Sequence, residues 1–97
     1  MLVLITYDVS VVSPEGRKRL RQTAKTCLDH GVRVQNSVFE CEVTPAQFEF
    51  LKSSLLEIIN PDVDSLRFYF LGKKGREKVV HVGAKDVVDP SNDSLII

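Results

Sequence analysis

Ninety-seven residues, 43% of them apolar and 27% charged, have the make-up of one small globular domain, and a chain of this size buries only roughly 60–65% of its unfolded surface. The longest apolar stretch, Leu2 to Ile5, is too short for a membrane span or a signal peptide, which points to a cytoplasmic protein with no membrane partner. Net charge is zero but segregated: residues 1–33 hold six Lys/Arg and three Asp/Glu, residues 40–64 one Lys and six Asp/Glu, and residues 67–85 six Lys/Arg and one Glu. Two basic blocks around an acidic one are compatible with a nucleic-acid surface and equally with solvated helix faces.

The apolar run Leu2–Ile5 predicts a central strand that ends in Thr6-Tyr7-Asp8. Ser13 is suited to cap a helix, with Pro14 at its first position and Glu15 near its positive end. Leu20, Ala24, Cys27 and Leu28 then form one apolar stripe, and Gly31 is expected to close the helix. Arg17, Lys18, Arg19, Arg21 and Lys25 lie on or near its outer face.

Val32 to Val43 reads as a second strand whose alternation slips across Gln35-Asn36-Ser37, as a β-bulge would produce. Thr44-Pro45-Ala46-Gln47 is a capping box for a second helix carrying Phe48, Leu51, Leu55 and Ile58/Ile59, stopped at Asn60-Pro61. Ser65–Leu71 is a strand with Leu66, Phe68 and Phe70 on one face and Arg67, Tyr69 and Leu71 on the other. Gly72-Lys73-Lys74-Gly75-Arg76 is a basic turn before a last strand, Lys78–Val82.

These elements predict an α+β, ferredoxin-like βαββαβ core over residues 1–83, with both helices on one sheet face. The other face carries apolar residues as well, which suggests a two-fold homodimer. Residues 84–97 are expected to be a hinge and an additional C-terminal strand, Leu95-Ile96-Ile97, that pairs with the partner protomer.

The chain has no phosphate loop, nucleotide fingerprint, Ser-His-Asp set or Cys-His pair. Cys27 and Cys41 fall on apolar faces and read as buried thiols. His30 and His81 lack metal-ligand spacing to them; His30 suits a helix C-terminus and His81 a structural strand position. Asp8 is left. At a strand tip it serves either as an Asx turn or as a ligand for Mg2+, which needs only one or two carboxylates besides water and phosphate oxygens.

Tyr7-Asp8-Val9 after an apolar strand, the cluster Arg17-Lys18-Arg19-Leu20, and Gly31-Val32-Arg33-Val34-Gln35-Asn36-Ser37-Val38-Phe39-Glu40 resemble the CRISPR-associated protein 2 family. The ending, His81-Val82-Gly83-Ala84-Lys85 and then Leu95-Ile96-Ile97, is similar to its I-C branch. The resemblance implies a homodimer in which Asp8 of each protomer ligates one shared Mg2+, and an endonuclease acting on double-stranded DNA or, in some members, RNA. Family positions tied to activity fall on Tyr7, Asp8, Arg17, Arg19, Arg33 and Phe39, of which Asp8 alone has a clear ligand role. The resemblance also implies a scaffold role, in which the dimer bridges the CRISPR-associated integrase and holds duplex DNA on its basic surface.

Overall fold

A computed structural model describes residues 1–72 and 79–84 of the chain. The element order is β1 (Leu2–Asp8), α1 (Pro14–Leu28), β2 (Val32–Gln35), β3 (Val38–Glu42), α2 (Pro45–Ile58), β4 (Ser65–Phe70) and β5 (Val79–Gly83). All strands join one antiparallel sheet in the order β2-β3-β1-β4-β5. The first four strands with both helices form the expected α+β, ferredoxin-like arrangement, and β5 extends the sheet beyond β4.

One expected strand is two. Val32–Val43 folds as a hairpin, β2 and β3, turning at Asn36-Ser37, and the bulge lies within β2 between Arg33 and Gln35. The turn, more than the bulge, separates the exposed Val32 and Val34 from the buried Phe39, Cys41 and Val43. The strand at Val79–Gly83 is therefore the fifth. The basic turn around Lys73, Lys74 and Arg76, the start of the last strand at Lys78, and the expected hinge and terminal strand from Lys85 onward lie outside the described residues.

Helix starts follow their caps. Ser13 Oγ accepts the Gly16 N–H at 3.0 Å, and Thr44 and Gln47 exchange side-chain-to-backbone bonds at 3.1 and 2.8 Å. The end of α1 differs from expectation. Asp29 caps it in a right-handed conformation, and His30 Nδ1 bonds the Thr26 carbonyl at 3.0 Å. Gly31 is needed for a different reason: a Cβ there would overlap the Glu40 carbonyl and press on Cys41 Sγ. Leu28 also leaves the stripe at 53% exposure, while Thr23 and Cys27 are buried with Leu20 and Ala24 packed beside them.

The core lies between sheet and helices. Val3, Ile5, Phe39, Leu51, Leu55, Leu66 and Phe68 are fully buried there, each contributing about 1.5–3 kcal/mol. Phe48 meets Phe68 and Phe70 edge-on at 5.3 and 5.0 Å between ring centroids. The opposite sheet face bears a smaller cluster, Leu4, Val38 and Tyr69 with Leu71 against it. Cys27 and Cys41 are free and buried in the main core. Burial pushes the Cys27 thiol up to about 12, with Cys41 adding to the shift, and burial raises Cys41 as well. Among the described residues, no helix is long and apolar enough to cross a membrane.

Candidate functional site

Asp8 is the last residue of β1, exposed, and in register with Ser65 of β4. Alternation along the strand sends Tyr7 to the helix side and puts Asp8 with Leu4 and Thr6 on the other face. The neighbouring row on that face runs Val38, Thr6, Arg67 and His81 across four strands. Arg67 donates from Nε to His81 Nδ1 at 3.1 Å and from Nη1 to Tyr69 Oη at 3.0 Å. Arg67 can only donate, so His81 Nδ1 accepts and the ring proton sits on Nε2. Arg67 is a diagonal neighbour of Asp8, a relationship that spans about 7–8 Å in antiparallel sheets. Arg67 and His81 were legible as strand residues, but only the β4–β5 register brings them beside the Asp8 row.

Tyr7, Phe39 and Arg33 come together on the helix side. The Tyr7 and Phe39 rings stack at 6.1 Å between centroids, and the Arg33 guanidinium lies 5.1 Å from the Phe39 centroid. Tyr7 also donates its N–H to the Ser37 carbonyl at 3.1 Å and its hydroxyl to the Asn36 carbonyl at 3.4 Å. The ladder clips the β2–β3 turn onto the end of β1. Burial raises the Tyr7 phenol above its ordinary value, Cys27 adds to this, and Arg33 and Ser37 oppose it. These three residues thus support the strand tip from the face opposite Asp8.

Two of the three arginines of α1 have side-chain partners near the β1–α1 loop: Arg17 on the loop itself and Arg19 on Asp64, which in turn holds Ser10. Arg17 is exposed and donates from Nη1 to the Val11 carbonyl at 3.3 Å. Arg19 donates from Nε to Asp64 Oδ2 at 2.8 Å and from Nη2 to Oδ1 at 3.4 Å. Asp64 is fully buried and also accepts the N–H groups of Ser10 and Asn60, both at 2.9 Å. Burial alone would raise its carboxyl. The bonds from Arg19, Asn60 and Ser10, with the charge of Arg19, hold it below the ordinary value. Asp64 was not singled out from sequence; an Asp just before a strand is also the signature of an ordinary turn.

Among the described residues no three His, Cys, Asp or Glu side chains gather as a metal-holding group. One exposed carboxylate at a fixed strand end can supply a hard cation with part of a coordination shell, and a second copy or a phosphate must supply the rest.

The family model described as "CRISPR associated protein Cas2" matches residues 1–79. The chain is 58% identical to CRISPR-associated endoribonuclease Cas2 3 of Rhodospirillum rubrum, over 91% of this chain and 93% of that protein. It is 54% identical to CRISPR-associated endonuclease Cas2 of Halalkalibacterium halodurans, over 92% and 93%. The crystal structure of Streptococcus pyogenes Cas2 at pH 6.5 superposes with a TM-score of 0.70 and 62% identity, covering 75% of this chain and 88% of that one. Joined to the strand order and the strand-tip aspartate, these matches show that the chain belongs to the Cas2 family of CRISPR-associated proteins.

Proposed function

We propose that the protein is a metal-dependent nuclease of a CRISPR system that works as a two-fold homodimer and hydrolyses phosphodiester bonds, with double-stranded DNA as substrate. The observation that carries this reading is Asp8, exposed at the rigid end of β1 on the face with the smaller apolar cluster. A second copy laid on that face would cover the half-buried Leu71 beside the already buried Leu4, Val38 and Tyr69 and bring a second Asp8 near the first. The pair of carboxylates suits Mg2+, which keeps most of its waters and takes few protein oxygens. When bound, the ion would polarise the scissile phosphate and make its water more acidic. The relatives named above are called endoribonuclease in one case and endonuclease in the other, so single-stranded RNA is the competing substrate.

The same dimer suits a scaffold that holds duplex DNA and docks the CRISPR-associated integrase. The two basic blocks of the sequence support this second role, which needs no Asp8. Assignment to the I-C branch belongs to the proposal too, supported by the sequence from His81 to Lys85 and by Leu95-Ile96-Ile97.

The test is cleavage of linear double-stranded DNA and single-stranded RNA by wild type and Asp8→Asn, with Mg2+ and with EDTA. Cutting of the duplex should require Mg2+ and fall by at least about 100-fold in the variant, while DNA binding survives. Cleavage that persists in Asp8→Asn or in EDTA would refute the metal role. Faster cutting of RNA would replace the substrate.

A further inference from the structure

The loop that follows Asp8 is pinned at Ser10. Its N–H is donated to Asp64 Oδ1 at 2.9 Å, and its carbonyl lies against Gly16, where a Cβ would overlap it. Asp64 immediately precedes Ser65, the register partner of Asp8. The tip bearing Asp8 is therefore held twice by adjacent residues, through the main chain at Ser65 and through the side chain at Asp64. Arg19, 45 residues away in sequence and 17% exposed, directs Nε and Nη2 at this carboxylate. A phosphate that drew Arg19 away would leave a fully buried carboxylate without its counter-charge, a strongly unfavourable exchange.

We infer that Asp64 is the positioning residue for Asp8, and that Arg19 supports activity through Asp64 rather than by gripping the nucleic-acid backbone. The catalytic half of this inference rests on the nuclease reading above; the latch itself does not. A loop free to drift by about 1 Å would cost up to roughly 100-fold in rate, because a metal-ligating carboxylate must be placed before chemistry begins. Arg19→Lys separates the two roles. Lysine keeps a charge for a phosphate but loses the two-pronged grip on Asp64.

The experiment compares Asp64→Asn, Arg19→Lys, Arg19→Gln and the Arg19→Gln/Asp64→Asn double variant, each first shown to be folded by circular dichroism. Three quantities are read: exchange of the Ser10 amide hydrogen, the salt dependence of duplex binding, and kcat with KM. Ser10 exchange is expected to quicken by about tenfold or more in Asp64→Asn and to a lesser degree in Arg19→Lys. The salt slope should match wild type in every Arg19 variant. Rates should fall about 10–100-fold through kcat, including in Arg19→Lys, and the double variant should be no slower than the worse single one. Unchanged Ser10 exchange in Asp64→Asn would overturn the latch. A salt slope lower by about 1 in Arg19→Gln, with activity retained in Arg19→Lys, would return Arg19 to the phosphate backbone. Wild type that cuts nothing would sink the nuclease reading, whereas the exchange measurement would still decide the latch. If Asp64→Asn does not fold, Arg19→Lys carries the same exchange test.

Discussion

On the helix side of the sheet, Val3, Ile5, Phe39 and Phe68 pack beneath α1 and α2. On the other side Leu4, Val38 and Tyr69 gather in the described structure with no helix above them. Both faces come from the same strands, and alternating side chains of β1 supply both. The first face is completed by the chain itself. The second holds the candidate carboxylate and the Arg67–His81 pair beside a small buried apolar cluster with Leu71 at its edge. Under the nuclease reading, the helix-covered face carries most of the stability and the other carries the candidate ligand, and substitutions on each should differ in kind.

The largest contrast is between adjacent residues of β4. Phe68→Ala should cost about 3–5 kcal/mol at any protein concentration, because it opens a cavity in the closed core. Tyr69→Ala also empties a buried site, and in addition should make the melting temperature more dependent on protein concentration if a second copy covers its face. Urea unfolding at several concentrations reads both, and a concentration-independent Tyr69→Ala would break the division.

Asp64→Asn comes next, at about 3 kcal/mol, since it leaves Arg19 facing an uncharged buried group. Because the Asp64 pKa is lowered on folding, its stabilisation is present above the unfolded carboxylate value of 3.8 and is lost as pH falls through the folded value. An acid unfolding titration should show wild type losing its advantage over the variant only at the acid end.

Tyr7 acts at the other end of the scale. Its pKa is raised on folding, so its contribution is complete below the unfolded value of 10.0 and is lost as pH rises through the folded one. Tyr7→Phe should remove that alkaline decline at a cost of about 1 kcal/mol near neutrality, measured by thermal melts across the range. The smallest effect belongs to Thr23, whose Oγ1 is buried without a hydrogen-bond partner among the described residues. Thr23→Val should be neutral or stabilising by about 1 kcal/mol in the same melts, and a loss would reveal a bond to Oγ1.

Much of this division could be read from residues in order. The caps at Ser13 and Thr44, the two-sided apolar character of β1 and the opposed faces of Leu66 and Arg67 are local patterns, and they appear as expected. The hairpin was hidden because Asn36-Ser37 contains no glycine and turns without any positive φ, so the usual two-residue hairpin signal is missing. Leu28 broke the stripe as the last residue of α1, where its side chain is left exposed. At the site, Asp8 was legible from its place at a strand end. The partnership of Arg19 with Asp64 was not, since nothing local distinguishes an arginine that meets a distant buried carboxylate from one that meets solvent.

The two core thiols give the closed face an internal clock. Neither Cys27 nor Cys41 is exposed, and burial raises both thiols above their ordinary value, so an alkylating reagent has no accessible target while the helices stay on the sheet. With enough reagent for labelling to outpace reclosing, the labelling rate times how often these layers come apart.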